Sequence, residues 1–202
     1  METAYNYGNA VLQDKFYILG VELRPFSIGH LLILEKMGNL LVSPSKEEIS
    51  LPDVITFLYQ AVLVCSLTYK QNLEIIYDEI KYSELINEFK INLKKNMEVE
   101  KDWNILDKLN LFKKYINYHT EMPLYSEERE SNSSPSGSDW KSSMVVVFKK
   151  LGYTEEQILD MSLKKMFYEW TVFAEGEGAI KVWSKHDVNS YKQMLKNKKD
   201  AK

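Results

Sequence analysis

Cysteine is nearly absent from this 202-residue chain: Cys65 stands alone, which excludes an internal disulfide and any site built on two or four cysteine thiolates. Arginine is almost as scarce, since of 26 basic residues only Arg24 and Arg129 are arginines. Lysine lacks the planar fork that reads guanine edges, and the net charge is −3, so sequence-specific DNA reading is disfavoured. The three histidines, His30, His119 and His186, form no H-E-x-x-H pair and none has a second ligand at i+4. No G-x-S-x-G, phosphate loop or G-x-G-x-x-G occurs, and Gly176-Glu177-Gly178 is too short to cradle a phosphate. No metal, no organic cofactor and no enzymatic activity are expected. Apolar runs are short as well. The longest, Val54 to Leu67, is broken by Thr56, Gln60 and Ser66 and falls below the roughly 20 residues of a membrane span, so it reads as a buried central helix enclosing Cys65. Met1-Glu2-Thr3 opens with neither a basic region nor an apolar run, and cytoplasmic residence is the expectation.

What the chain does have is an ordinary globular mixture, 45% hydrophobic and 27% charged. Its periodicity predicts a mainly α fold. The expected layout is a single compact helical domain over residues 1–202, with a small N-terminal extended element and a long polar internal loop. Residues 10–119 form an N-terminal helical part, 120–143 a flexible acidic and serine-rich loop, and 144–190 a C-terminal helical part. Lys15 to Leu23 reads as extended, with a hairpin turn near Gly20. Ser27 caps a helix from Ile28 to Met37 that Gly38-Asn39 stops, and His30 on it reads as a packed, hydrogen-bonded histidine. Ser50, Pro52 and Asp53 introduce the Val54 to Leu67 helix. From Lys70 to His119 charges alternate, while Leu85, Ile86, Phe89 and Leu93, then Trp103, Leu106, Leu109, Phe112, Tyr115 and Ile116, recur at helical spacing. That pattern predicts two helices with a break near Asn96 to Lys101 and a solvated outer face.

Thr120 to Ser143 carries Pro123, Pro135, Gly137 and a run of serines from Ser131 to Ser138, and its end is docked by Trp140. A helix from Trp140 to Leu151 follows, closed by Gly152. A capping box, Thr154-x-x-Gln157, starts the next short helix. Ser162 then opens the strongest amphipathic segment. Leu163, Met166, Phe167, Trp170, Phe173 and Ala174 lie on one stripe, with Trp170 at its middle. Gly176 and Gly178 end it, Ala179 to Trp183 reads as a short strand, and the lysine-rich tail from Lys192 as a helix end. A strong stripe ordinarily faces a core. Its alternative is an exposed groove for a helical partner, and Leu163, Met166, Phe167, Trp170, Phe173 and Trp140 are then the candidate partner-binding residues. The acidic stretch Glu121 to Asp139 is a second candidate surface.

Two blocks carry a family resemblance. Phe16 to His30, followed by the leucine-rich Leu31 to Glu35 and later by Val64-Cys65-Ser66, is similar to openings of tailed-bacteriophage proteins encoded among tail genes. Gly152-Tyr153-Thr154-Glu155-Glu156, Asp160-Met161-Ser162-Leu163, and then Ala174-Glu175 and Glu177 to Ile180, resemble the C-terminal part of phage tail assembly chaperones. Where such proteins place proline after the aspartate, this chain has Met161-Ser162. The resemblance implies a small helical, non-enzymatic morphogenesis protein that binds a helical tail protein, the tape measure, in the bacterial cytoplasm, with no membrane or specific nucleic-acid partner. The alternative is a small regulatory helical protein that binds nucleic acid weakly through its lysines.

Overall fold

The computed structural model describes residues 7–43, 50–99, 104–127 and 139–200. The chain divides into two compact units. The larger comprises Asp14–Thr120 and Val145–Leu163, and the smaller comprises Met1–Gln13, Glu121–Met144 and Lys164–Lys202. The fold is mainly helical with a small N-terminal hairpin, as the composition and periodicity predict.

A short α1 (Tyr7–Val11) precedes β1 (Phe16–Ile18) and β2 (Val21–Leu23), which pair antiparallel with Phe16 opposite Leu23 and Ile18 opposite Val21. That register leaves Leu19 and Gly20 as a two-residue turn, both at positive φ (53° and 76°). This is the turn geometry whose twist matches that of the strands. Next comes α2 (Ile28–Lys36), with an unusual capping box. Ser27 Oγ accepts from the His30 amide, and His30 Nδ1 accepts from the Ser27 amide, each at 3.2 Å. A histidine here fills the position that glutamate or glutamine ordinarily holds. At the other end Gly38 donates to Glu35 O and Asn39 to Leu34 O, which satisfies the last carbonyls.

Helix α3 (Leu51–Ser66) starts earlier than its apolar run, because Ser50 caps it and Pro52 and Asp53 belong to its first turn. Between Lys70 and Thr120 the described residues form three helices, not the two expected: α4 (Tyr69–Ile76), α5 (Glu79–Val99) and α6 (Ile105–Thr120). A capping box between Thr68 and Gln71 starts α4 as a separate helix. Asp78 then accepts the Lys81 amide at 3.1 Å, restarting the chain as α5 after a turn at Tyr77. The expected break near Asn96 to Lys101 is met by the end of α5 at Val99, ahead of α6 from Ile105; residues 100–103 lie outside the described ones.

The stretch 120–143 is not loop throughout. Thr120 ends α6, and β3 (Tyr125–Glu127) pairs antiparallel with β4 (Ile180–Val182), Tyr125 opposite Val182. The serine-rich residues 128–138, and most of the acidic candidate surface, lie outside the described residues. Helices α7 (Trp140–Lys150) and α8 (Glu155–Asp160) match their sequence signals, and the Thr154–Gln157 capping box forms. The tight end of α7 brings the Phe148 and Tyr153 rings to 5.6 Å. In α9 (Leu163–Gly176), Gly176 is the last helical residue; the terminating geometry belongs to Gly178, with Ala179 donating to Ala174 O at 2.9 Å. Helix α10 (Lys185–Asp200) closes the chain, its first turn capped by Ser184 and Asp187.

The larger unit buries Ile18, Phe26, Leu34, Leu58, Phe112, Tyr115 and Phe148. Tyr115 donates its hydroxyl to Arg24 O, and Arg24 donates its amide to Cys65 O, tying the hairpin exit to α6 and to the end of α3. Gly29 allows the closest approach. A Cβ there would meet Leu159 O at 2.6 Å and the Tyr69 ring at 2.8 Å, so a side chain at this position would push α2 away from α8 and α4. In the smaller unit Met144, Met166, Phe167, Ala174 and Ile180 are buried. Its aromatic rings pair as Tyr125 with Trp170, Trp140 with Phe167, and Trp183 with Tyr191.

Candidate functional site

Of the six candidate partner-binding residues, five lie on the apolar stripe of α9, and three of those five are buried. Leu163, Met166 and Phe167 are 1%, 0% and 6% exposed, so no partner can reach them in the folded chain. Leu163 belongs to the larger unit and the other five to the smaller. Trp170 is half-buried, with its ring 5.6 Å from that of Tyr125. Only Trp140 and Phe173 are exposed, and Trp140 leans its ring to 5.9 Å from Phe167. The first two turns of α9 therefore do what a strong helical stripe ordinarily does, which is to face the interior.

An open apolar surface is built on α3 and α6 in the larger unit. There an apolar groove of about 430 Å³ is lined by Leu40, Leu41, Val54, Leu109, Phe112 and Ile116, with Lys113 and Asn117 also lining it. Phe112, 1% exposed, supplies the most deeply buried of these side chains. Leu109, Phe112 and Ile116 follow one another at i, i+3 and i+7 on α6, so they share a face. Leu40 and Leu41 come from the turn after α2, and Asn39 fixes that turn. The Asn39 amide nitrogen donates to Phe57 O of α3 at 2.7 Å, and its side-chain oxygen accepts from the Leu41 amide at 3.1 Å. Both bonds are made by a buried side chain, so this wall is held in place before anything binds.

The α6 stripe was visible in the sequence as helical periodicity with a solvated opposite face. Two things were missed: that part of the apolar face stays open, and that Leu40, Leu41 and Val54 join it. The available signal is Lys113, an exposed charge at i+4 from Leu109 that flanks the arc of Leu109, Phe112 and Ile116, where a wider core-facing stripe would have an apolar residue.

The buried polar groups are structural. His30 Nε2 donates to Leu67 O at 2.7 Å while Nδ1 accepts from Ser27, so both ring nitrogens are satisfied with the ring neutral. Burial pushes its pKa down to about 4, against the opposing pull of the Leu67 carbonyl and of Asp160. Burial pushes the Cys65 thiol up to about 12, which leaves it inert as a nucleophile. His119 is buried among the rings of Phe16, Tyr115 and Tyr118. A polar recess of about 340 Å³ in the smaller unit is lined by Ser126, Lys181, Trp183, Asp187, Ser190 and Tyr191, but its carboxylate is already committed to Ser184 at the start of α10.

Among the described residues, no group of three or more His, Cys, Asp or Glu is placed to hold a metal ion, and no helix is long and apolar enough to cross a membrane. No family model matches the chain, and neither a curated protein nor a solved structure matches it.

Proposed function

We propose that this chain is a non-enzymatic phage morphogenesis protein of the tail assembly chaperone kind, acting in the bacterial host cytoplasm, and that it holds a helical segment of a tail protein, the tape measure, in the α3–α6 groove. The observation that carries the binding role is the preformed groove with its apolar floor and walls. An amphipathic helix seats its apolar face in such a groove with little reorganisation of the host. A volume of about 430 Å³ is in the range of binding sites and accepts a few anchoring side chains. Lys113 is the only ionisable side chain among the described lining residues, and one lysine at a rim supplies no acid–base pair. The identity of the partner rests on the resemblance carried by Phe16 to Glu35 and Gly152 to Leu163.

The test is co-expression of the full chain with the long tail protein encoded beside it, followed by pulldown. The wild-type chain is expected to capture that protein, and Ile116→Lys, which places a charge on the groove wall, to lose at least tenfold of the capture. A wild-type chain that captures nothing would end this proposal.

A further inference from the structure

We infer that the helix received by the α3–α6 groove carries a carboxylate one turn beyond its apolar anchors, and that Lys113 and Asn117 receive it. This rests on the groove being the binding site. Lys113 and Asn117 are exposed and lie at i and i+4 on α6, where side chains are neighbours. Neither side chain takes part in a hydrogen bond or ion pair among the described residues, whereas Lys15, Lys149 and Lys165 each have a carboxylate partner. Among the described residues no acidic side chain lines the groove, so none of them neutralises the lysine cation beside its apolar walls. An anionic group arriving on an apolar body is the complementary occupant.

The apolar surface also runs past the cavity. Leu51, one turn before Val54 on α3, and Leu106, one turn before Leu109 on α6, are each 55% exposed. A small amphiphile would fill the cavity and leave both leucines in water. A helix of several turns covers more of this surface, which decides for a polypeptide.

The experiment titrates the full chain with two synthetic amphipathic helical peptides. Both carry leucines at i, i+3, i+4 and i+7; they differ only one turn further on, with Glu in one and Lys in the other. The Glu peptide is expected to bind about threefold to tenfold more tightly at low salt, the difference shrinking as salt is added. Lys113→Glu is expected to reverse the preference and leave the melting temperature unchanged. Equal affinities, a preference that survives Lys113→Glu, or no binding of either peptide would each overturn the inference. A failed tail-protein pulldown beside the expected peptide result would remove the proposed partner and leave the charge selection standing. Loss of tail-protein capture in Ile116→Lys but not in Lys113→Glu, with equal peptide affinities, would do the opposite.

Discussion

The two units are held together by different kinds of bond. In the larger, buried polar side chains fasten elements that are far apart in sequence: His30 to Leu67 O, Asn39 to Phe57 O, Tyr115 to Arg24 O. Asn72 adds a local one, donating to Val64 O and Thr68 O. In the smaller unit the buried Thr171 bonds only one turn back, to Phe167 O, and the buried Lys164 reaches the exposed Glu121; Val182 donating to Glu175 and Ser184 bonding Asp187 are exposed links, and the packing leans on half-buried aromatic pairs. Buried hydrogen bonds are expensive to break because both partners lose water and gain nothing, whereas exposed ones exchange with solvent at little cost. The larger unit is therefore the more specified of the two, and it is the one that presents a preformed groove.

The sharpest contrast comes from matched truncations. Phe112→Ala should cost about 3–5 kcal/mol and abolish groove binding, since it empties a fully buried site. Trp170→Ala, at a half-buried ring in the smaller unit, should cost only about 1–2 kcal/mol, from one edge-to-face pair and partial burial. Equal losses in denaturant unfolding would erase the contrast between the units.

Acid should divide them next. Unfolded, His30 takes up its proton as pH falls through its ordinary value of 6.5; folded, it does so only near 4. Between those values the native state binds fewer protons than the unfolded state, so stability falls as pH drops through this window. The loss reaches about 3 kcal/mol at pH 4 and is absent above pH 7. His186, the histidine of the smaller unit, is exposed and has no comparable burial. Urea midpoints at pH 7 and pH 4.5 should separate strongly for the wild type and much less for His30→Gln. An unchanged separation in the variant would show that the acid sensitivity lies elsewhere.

A smaller effect is expected at the groove wall. Asn39→Ala removes two hydrogen bonds from a buried side chain and should cost about 1–2 kcal/mol. It should also weaken peptide binding, because Leu40 and Leu41 lose their fixed position. Calorimetric titration beside a thermal melt would read both; lowered stability with full binding would mean that the wall needs no fixing.

Much of the helical layout was legible in the sequence because caps and stops are local. Ser27, Gly38, Gly152 and the Thr154–Gln157 pair act within a few residues of themselves. The capping signal Thr68-x-x-Gln71 and the aspartate at 78 were equally local, yet the alternating charges around them read as one longer helix. The third strand was not legible. Tyr125 to Glu127 shows no alternation, and its partner strand lies more than fifty residues further on. The opening beside α6 was not legible for the same reason. Periodicity says which residues of a helix share a face, but not whether another element covers that face. Met166 and Leu109 occupy similar positions in their stripes; one is buried and the other lines an opening.

The hairpin turn has a consequence for the order of events in folding. Leu19 holds a left-handed backbone at φ 53°, yet its side chain is only 3% exposed. That conformation costs a leucine about 1–2 kcal/mol, and burying the side chain returns about 1.5–3 kcal/mol. The turn is thus favourable only after a core exists to receive it, and a hairpin of two three-residue strands is not stable by itself. Assembly of α2, α3 and α6 should come first and the hairpin should close upon it. Leu19→Ala should then accelerate unfolding in stopped-flow measurements while barely changing the folding rate, the signature of a contact made after the rate-limiting barrier.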